Sequence, residues 1–340
     1  MLLLLFVVSA FHEERSFVLT ELEGKVFSGK PVTIEEAMQL TSLQGCEVLD
    51  LIHAAWRITR QFSPPGIDLC SIINARSGLC SEDCRFCAQS AHYATAINTY
   101  SSLAPAKILE QAQAVELSGA DRLALVASGR GPNDRDLDLF LDLFCMLKRE
   151  TGLNLCASLG IITAQQAKRL VEAGVTTYHH NLESSRSFFP AVCTTHNYED
   201  RVATIRAAQE AGMQVCSGGI LGLGESWHQR LELADELRML GISSIPINIL
   251  NPIPGTPLEQ RSFLPPLEIL KALAIFRFIL PGARLRMAGG RFPALHDLQP
   301  MIFQAGINAL LIGDYLTTSG RSVAQDLTLL TDLGLRLRSA

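Results

Sequence analysis

The sequence alternates short apolar runs with longer helical segments, and this alternation occurs eight times. Short β-rich runs that alternate with helical ones are typical of βα units in a parallel sheet. Eight such units close into a (β/α)8 barrel of the TIM type, so we predict this α/β fold. The eight runs are Asp68–Asn74, Arg122–Ala127, Asn154–Leu159, Thr176–Leu182, Gln214–Ile220, Ser244–Leu250, Arg284–Ala288 and Asn308–Gly313.

The segments between the runs have the apolar period of a helix, and several end in a glycine that is typical of helix C-caps. Nearly the same text, SGAD, EAGV, EAGM and QAGI, recurs at four of these ends, which indicates a repeated unit. The predicted helices are Ala104–Ser118, Arg135–Thr151, Ala164–Ala173, Tyr198–Ala211, Trp227–Leu240, Pro266–Leu280 and Phe292–Ala305.

The length of 340 residues would suit two average domains, but one α/β barrel can use about 250 residues by itself. No linker or low-complexity block interrupts residues 30–335, so we predict a single barrel over residues 67–320. A helical extension over residues 16–66 would precede the barrel, and a C-terminal helical tail over residues 321–340 would follow it.

Residues 1–15 begin with the apolar text MLLLLFVVSA, and we expect them to lie outside the fold. The run is shorter than the roughly 20 residues that a membrane-spanning helix needs. A signal peptide is the alternative interpretation, although no basic residue precedes the run and the acidic Glu13 and Glu14 follow it.

Composition excludes two classes of protein. Hydrophobic residues make up 48% of the chain, which rules out disorder, and the net charge of −5 argues against a broad basic surface for nucleic acid. The nine cysteines are too dilute for a disulfide scaffold, and their number is odd. Clustered thiols favour a reducing compartment, so we expect a cytoplasmic protein without a nucleic-acid or membrane partner.

Three of the cysteines, Cys80, Cys84 and Cys87, lie on the loop after the first run with the spacing C-x3-C-x2-C. Three thiolates can hold three corners of a [4Fe–4S] cluster and leave one iron open for a ligand, which is the interpretation we favour. A zinc site would need a fourth ligand, for which His92 is the nearby candidate. Redox or disulfide use is the third interpretation.

With Phe86 before its third cysteine, this motif resembles the signature of the radical S-adenosylmethionine (radical SAM) enzymes. The text CSEDCRFCAQSAHY resembles the biotin synthase family, and the resemblance continues through ASLG, YHHNLE, TTHNYEDRV, VCSGGILGLGE, PINILNPIPGTPL and RMAGGR. It covers about residues 30–335. It implies insertion of sulfur into dethiobiotin to form biotin, with S-adenosylmethionine as cofactor and an auxiliary iron–sulfur cluster as sulfur donor. It also implies a homodimer and an external one-electron reductant such as flavodoxin or ferredoxin.

The resemblance implies roles for residues at the strand ends. Asn181 and Glu183 would bind the ribose hydroxyls of the cofactor, although the family commonly has Asp where this chain has Glu183; a helix N-cap is the alternative role. Gly218 and Gly219 would let the backbone approach the cofactor closely, and a tight turn is the alternative.

Two further residues would face the substrate. Asn248 would hold the ureido ring of dethiobiotin, because an amide offers both a donor and an acceptor to a cyclic urea. His179 stands where some relatives have Asn. The alternative is a barrel residue that makes its hydrogen bonds within the protein and has no substrate role.

The auxiliary cluster of the family is better known as a [2Fe–2S] cluster with cysteines on strands two, three and five and an arginine on strand seven. Cys156, Cys216 and Arg286 match three of these ligands, but the second run has no cysteine. Cys70 and Cys193 could complete a four-cysteine set, which is the usual complement of a [4Fe–4S] cluster. Alternatively, they are buried small apolar residues. We assign no role to Cys46 or Cys145.

Two other functions remain open at this point. Another radical SAM barrel enzyme, such as a hydrogenase-cofactor maturase, should lack both the text CAQSAHY and the inner cysteines. A non-enzyme, either an iron–sulfur protein or a zinc-stabilised barrel, would not need an iron with an open coordination position.

Overall fold

The computed structural model describes residue 15 and residues 17–338. The predicted apolar leader lies outside these residues except for Arg15. Parallel strands form one sheet in the order β5-β4-β3-β2-β1-β9-β8-β7-β6, with a further pairing of β5 to β7. The strands are β1 Asp68–Arg76, β2 Arg122–Ala127, β3 Asn154–Ser158, β4 Thr177–His179, β5 Gln214–Cys216, β6 Gly219–Leu221, β7 Ser244–Ile249, β8 Arg284–Met287 and β9 Ala309–Leu311.

The fifth barrel strand is divided into β5 and β6 by Ser217 and Gly218. Both halves pair with β7, through Cys216 opposite Ser244 and through Gly219 opposite Ile247. Counted as one strand, they close a ring of eight. The predicted (β/α)8 barrel is therefore confirmed, and all eight predicted strands occur in it.

Helices surround the barrel, and most lie within one or two residues of the predicted segments. Several begin with capping boxes, in which a side chain such as that of Thr163 accepts from the first-turn backbone while Gln166 bonds back. The helices are α1 over residues 17–27, α2 Ile34–Leu40, α3 Cys46–Phe62, α4 Pro105–Leu117, α5 Asp134–Glu150, α6 Ala164–Glu172, α7 Tyr198–Glu210, α8 Trp227–Met239, α9 Pro266–Ile279, α10 Arg291–Leu295, α11 Met301–Gln304 and α12 Val323–Asp332.

The prediction of one helix over Phe292–Ala305 is wrong. The segment forms α10, a 3-10 turn at His296–Leu298 and α11. His296 has a φ of 46°, which a continuing right-handed helix does not allow. Pro300 precedes α11, and because proline lacks an N–H it favours the first turn of a new helix over the interior of a long one.

The strand register places several interior side chains at one level. Cys70 on β1 lies opposite Arg122 on β2, and Cys156 on β3 lies opposite Ala124. Further round the barrel, Cys216 lies opposite His179. Thiols from three different strands therefore face the same interior space.

The bottom of the barrel, below Cys70, is closed by a buried ion pair and by the C-terminal tail. The Asp68 carboxylate bonds Nη2 of Arg286, and both side chains are almost completely buried. After α12 the tail is not helical, and Leu337 forms a parallel bridge with Ile67 just before β1. The predicted bounds of the tail remain a prediction. Among the described residues, no helix has the length and apolarity that a bilayer crossing requires.

Candidate active site

A cavity of about 390 Å³ opens where the barrel strands end, which is the position expected for chemistry in this fold. Two groups of cysteines line it. One comes from the loop after β1, and we call it the mouth set: Cys80, Cys84 and Cys87. The other comes from strands β1, β3 and β5, and we call it the floor set: Cys70, Cys156 and Cys216.

The mouth set lies on a compact loop held by its own backbone. The Cys80 N–H donates to the carbonyl of Gln89 at 2.9 Å, and Cys87 N–H donates to the carbonyl of Cys84 at 2.9 Å. Burial raises the pKa of Cys80 and raises that of Cys87 to about 11. Three thiols on one short loop at the cavity fit a metal cluster, because a bound cation would supply the charge that their thiolates need in a buried place. His92, the candidate zinc ligand, contacts the carbonyl of Ser81 and does not line the cavity.

Cys193 lies beside the mouth set and not in the floor set. Its Sγ is 3.1 Å from Oδ1 of Asp83 and 3.2 Å from Nδ1 of His196. A hydrogen bond between the thiols of Cys84 and Cys193 raises the pKa of Cys84 and lowers the pKa of Cys193 to about 4. Of the predicted four-cysteine set, Cys70, Cys156 and Cys216 line the cavity together, and the structure does not bring Cys193 to them.

The floor set is buried among charged groups. Burial raises the pKa of the Cys70 and Cys156 thiols, whereas the nearby cations Arg286 and Arg122 oppose this effect. The Ser244 hydroxyl donates to Cys216 Sγ at 3.4 Å. Three thiols from separate strands around one buried space again fit a metal cluster better than a disulfide.

Arg286 also lines the cavity, as predicted, but its terminal nitrogens are engaged elsewhere. Nη2 donates to the Asp68 carboxylate, and Nη1 donates to the carbonyl of Leu310 at 2.9 Å. Nε of Arg286 has no partner among the described residues. The guanidinium is therefore oriented by Asp68.

The predicted cofactor residues form one hydrogen-bonded row between mouth and floor. Asn181 Nδ2 donates to Glu183 at 3.3 Å, and Asn181 Oδ1 accepts from the Gly218 N–H at 3.1 Å. Burial raises the pKa of the Glu183 carboxyl. Asn181 and Glu183 line the cavity, whereas Gly218 and Gly219 lie behind them.

The two glycines allow close packing. A Cβ on Gly218 would collide with the carbonyl of Pro246, and a Cβ on Gly219 would lie 2.7 Å from the carbonyl oxygen of Glu183. Both positions therefore require glycine so that β5 and β6 can pass between β4 and β7.

Asn248 and His179, the predicted substrate residues, also line the cavity. Asn248 is fixed at both ends, since Oδ1 accepts from the Gly289 N–H at 2.9 Å and Nδ2 donates to the carbonyl of Gly219 at 3.4 Å. Burial lowers the pKa of His179 to about 4, so its ring is neutral at pH 7. Its Nε2 lies 2.9 Å from Asn181 Oδ1.

Two buried arginines at the site were missed from the sequence. Arg201, on α7, reaches Cys84 Sγ at 3.9 Å and donates to the carbonyl of Asn181 at 2.7 Å. Arg122 begins β2 and lines the cavity beside Cys70. The only sequence signal for Arg122 is a basic residue in an otherwise apolar run, and Arg201 lies in the text TTHNYEDRV without a spacing that ties it to the mouth set.

Comparison with known proteins agrees with this geometry. The Radical SAM superfamily model matches residues 76–237, and the model of the Biotin and Thiamin Synthesis associated domain matches residues 246–336. The biotin synthase of Heliobacterium modesticaldum is 54% identical, over 95% of this chain and 99% of the relative. That of Pelotomaculum thermopropionicum is 54% identical, over 94% and 99%.

Solved structures give the fold alone. Methylornithine synthase has a TM-score of 0.82 at 20% identity, with 94% of this chain and 97% of that chain covered. A maturase of the [FeFe]-hydrogenase has a TM-score of 0.79 at 18% identity, with 94% and 76% covered. At 18% identity, this likeness does not support the alternative of a hydrogenase-cofactor maturase. The biotin synthases are far more similar in sequence and span nearly the whole chain. The chain therefore belongs to the biotin synthase family of radical SAM enzymes.

Proposed function

We propose that this chain inserts sulfur into dethiobiotin to form biotin, with S-adenosylmethionine as cofactor and an iron–sulfur site in the barrel as sulfur donor. One observation carries the proposal: a single cavity is lined by two separate sets of three cysteines. The polar side chains of Asn181, Glu183 and Asn248 line the same cavity. Sulfur insertion needs both a radical source and a sulfur source, and the two thiol sets supply a place for each.

Cys80, Cys84 and Cys87 would hold a [4Fe–4S] cluster whose open iron takes the methionine part of the cofactor. When bound, the cluster supplies the electron that cleaves S-adenosylmethionine and starts radical chemistry on dethiobiotin. Arg201 places a buried positive charge beside Cys84, where it would neutralise the carboxylate of the methionine part. Glu183 would accept a hydrogen bond from one ribose hydroxyl, and the second hydrogen of Asn181 Nδ2 would donate to the other.

Asn248 would orient dethiobiotin. Its two backbone contacts leave one lone pair on Oδ1 and one hydrogen on Nδ2, which are the acceptor and donor that a cyclic urea requires. Because the amide is already fixed, little side-chain entropy would be lost on binding. The neutral ring of His179 would close the side of the cavity next to Asn181 without adding a charge there.

Cys70, Cys156 and Cys216 would hold the auxiliary cluster, with Arg286 beside them. Cys70 on β1 would take the place of the cysteine that β2 lacks, one strand away. The set then has three thiols and one guanidinium, as in the better-known [2Fe–2S] arrangement, and a [4Fe–4S]-like cluster is the alternative that iron counting distinguishes.

The remaining partners follow from the resemblance. We propose an external one-electron reductant such as flavodoxin or ferredoxin, and a homodimer. A cytoplasmic location is the compartment that keeps both thiol sets reduced.

The test is conversion of dethiobiotin to biotin by anaerobically reconstituted protein, with iron and sulfide counted before and after turnover. We expect biotin from the unmodified chain and none from Cys80→Ala or Cys156→Ala. Cys145→Ala is the matched control, because Cys145 is exposed on α5 and away from the cavity. Cleavage of S-adenosylmethionine without biotin formation would refute the proposal.

A further inference from the structure

Arg122 is a buried cation that faces the floor set. It is 8% exposed, begins β2 and lies opposite Cys70 in the sheet register. It lines the cavity together with Cys70 and Cys156. Its Nε and Nη1 atoms are both buried and have no hydrogen-bond partner among the described residues.

The neighbouring arginines differ from Arg122 in this respect. Arg286 donates to Asp68 and to a carbonyl, and Arg284 forms an ion pair with Asp68 at 3.1 Å. Within residues 17–338, Arg122 forms no such ion pair. Asp68 is therefore paired with the two arginines of β8, and Nε and Nη1 of Arg122 are buried without a hydrogen-bond partner among the described residues.

A buried guanidinium with free donors requires an anion, because transfer of an unpaired charge out of water is costly. The cavity beside Arg122 is lined by the floor-set thiols, by Arg286 and by polar and apolar side chains, and the carboxylate of Glu183 there already accepts from Asn181. The anions available there are the cysteine thiolates and a sulfur that the protein does not itself supply. The three thiolates would be committed to the metal that they hold, so the anion left for Arg122 is a sulfur bound to that metal.

We propose that Arg122 binds an inorganic sulfide ion at the floor set through one of its unpartnered guanidinium nitrogens. This inference rests on the proposed function, which gives the floor set its iron. Arg122 is a positioning residue: it would hold the non-cysteine sulfur against loss while Cys70, Cys156 and Cys216 hold the metal. Removal of its charge should loosen the sulfide and lower the reduction potential of the site.

The test uses the full chain with Cys80, Cys84 and Cys87 replaced by Ala, so that only the floor set can be loaded. The protein is reconstituted anaerobically with ferrous iron and sodium sulfide, and the exchange of bound sulfide with isotopically labelled sodium sulfide is followed. Arg122→Gln should accelerate exchange about tenfold or more, as expected for loss of a charge-assisted hydrogen bond. Its midpoint potential should become more negative. Arg122→Lys, which keeps the charge but not the fork, should lie between the two.

Arg284→Gln is the matched control. Arg284 lies at the same end of the barrel as Arg122, but its guanidinium does not line the cavity. An exchange rate and potential for Arg122→Gln equal to those of the parent would overturn the proposal, and so would an equal effect of Arg284→Gln. Unchanged sulfide exchange with weaker dethiobiotin binding would instead show that Arg122 binds the carboxylate of the substrate, which also overturns it. If Arg122→Gln does not fold, as judged by circular dichroism, Arg122→Lys alone decides between these outcomes.

Failure of the proposed function is distinguishable from failure of this inference. If the parent protein takes up no iron at the floor set, the proposed sulfur source is wrong and the role of Arg122 is wrong with it. If iron is bound and the Arg122 variants behave as the parent does, only the role of Arg122 is wrong.

Discussion

The Sγ atom of Cys193 lies 3.1 Å from Oδ1 of Asp83, the residue that precedes Cys84. The same carboxylate accepts from the backbone N–H of Thr194 at 2.8 Å, so the loop after β4 is tied to the loop after β1. His196 extends this contact to Glu82 at 2.6 Å. Cys193 thus supports the mouth of the barrel and leaves the floor with three cysteines.

Cys70 and Cys193 should therefore differ when each is replaced by Ala. In the variant that lacks Cys80, Cys84 and Cys87, Cys193→Ala should retain the floor iron of its parent, because Cys193 does not line the cavity. Cys70→Ala should lose most of it, because two thiols remain. Iron analysis and Mössbauer spectroscopy measure both. Equal loss in the two variants would restore the four-cysteine interpretation.

Glu183 should tolerate Asp but not Ala. Glu183 has a φ of 67°, a backbone conformation that Asp adopts more readily than most residues, and Asp keeps the carboxylate. The dissociation constant for S-adenosylmethionine should rise about tenfold or more in Glu183→Ala, since a charge-assisted hydrogen bond is lost. It should change by less than about threefold in Glu183→Asp. Equilibrium binding to reconstituted protein tests this, and unchanged affinity of the Ala variant would remove Glu183 from the cofactor site.

Asn248→Ala should weaken dethiobiotin binding more than cofactor binding. Two neutral hydrogen bonds contribute about 1 kcal/mol each, so the dissociation constant should rise by roughly tenfold to thirtyfold. Asn248 contacts Gly219 and Gly289 but not Asn181, so affinity for S-adenosylmethionine should stay near that of the parent. A larger loss of cofactor affinity than of dethiobiotin affinity would contradict the assignment. Isothermal titration with each ligand separates the two effects.

Gly218→Ala should destabilise the fold. The added methyl group would meet the carbonyl of Pro246 on the neighbouring strand, and overpacking of this kind costs about 1–3 kcal/mol. Gly24→Ala is the matched control, because Gly24 lies in α1 with nothing within 4 Å of a new Cβ. That change should stabilise the protein slightly, by about 0.5–1 kcal/mol. Denaturant unfolding compares them, and equal stabilities would show that the β5–β6 junction can relax.

The barrel could be predicted because its signal is periodic: each strand is a short apolar run, and four of the helices end in similar text. The break after Leu295 was missed, although Pro300 inside the predicted helix is a signal for it; the positive φ of His296 itself leaves no period. Cys193 was misplaced for a related reason. Cys193 follows β4 closely in the chain, but a turn at Phe189–Ala191 directs it back to Asp83. No spacing in the sequence predicts a contact between residues so far apart in the chain.

The residues of the mouth set were predictable because they share one loop, so their sequence spacing is their spatial spacing. Arg122 and Arg201 were not, because the environment that defines them comes from other strands and helices. Nothing local distinguishes a buried arginine that faces three thiols from one on a solvated surface.

The buried ion pair of Asp68 and Arg286 closes one end of the barrel, with the bridge between Leu337 and Ile67 next to it. In the part of the chain that the structure describes, the cavity therefore opens only at the other end. Under the proposed function, dethiobiotin would reach Cys70 through the same opening at which S-adenosylmethionine would bind. Dethiobiotin would then enter before the cofactor, and replacement iron and sulfur would enter after the product has left. Each round of synthesis would be followed by a separate interval of repair, whose start is set by departure of the product.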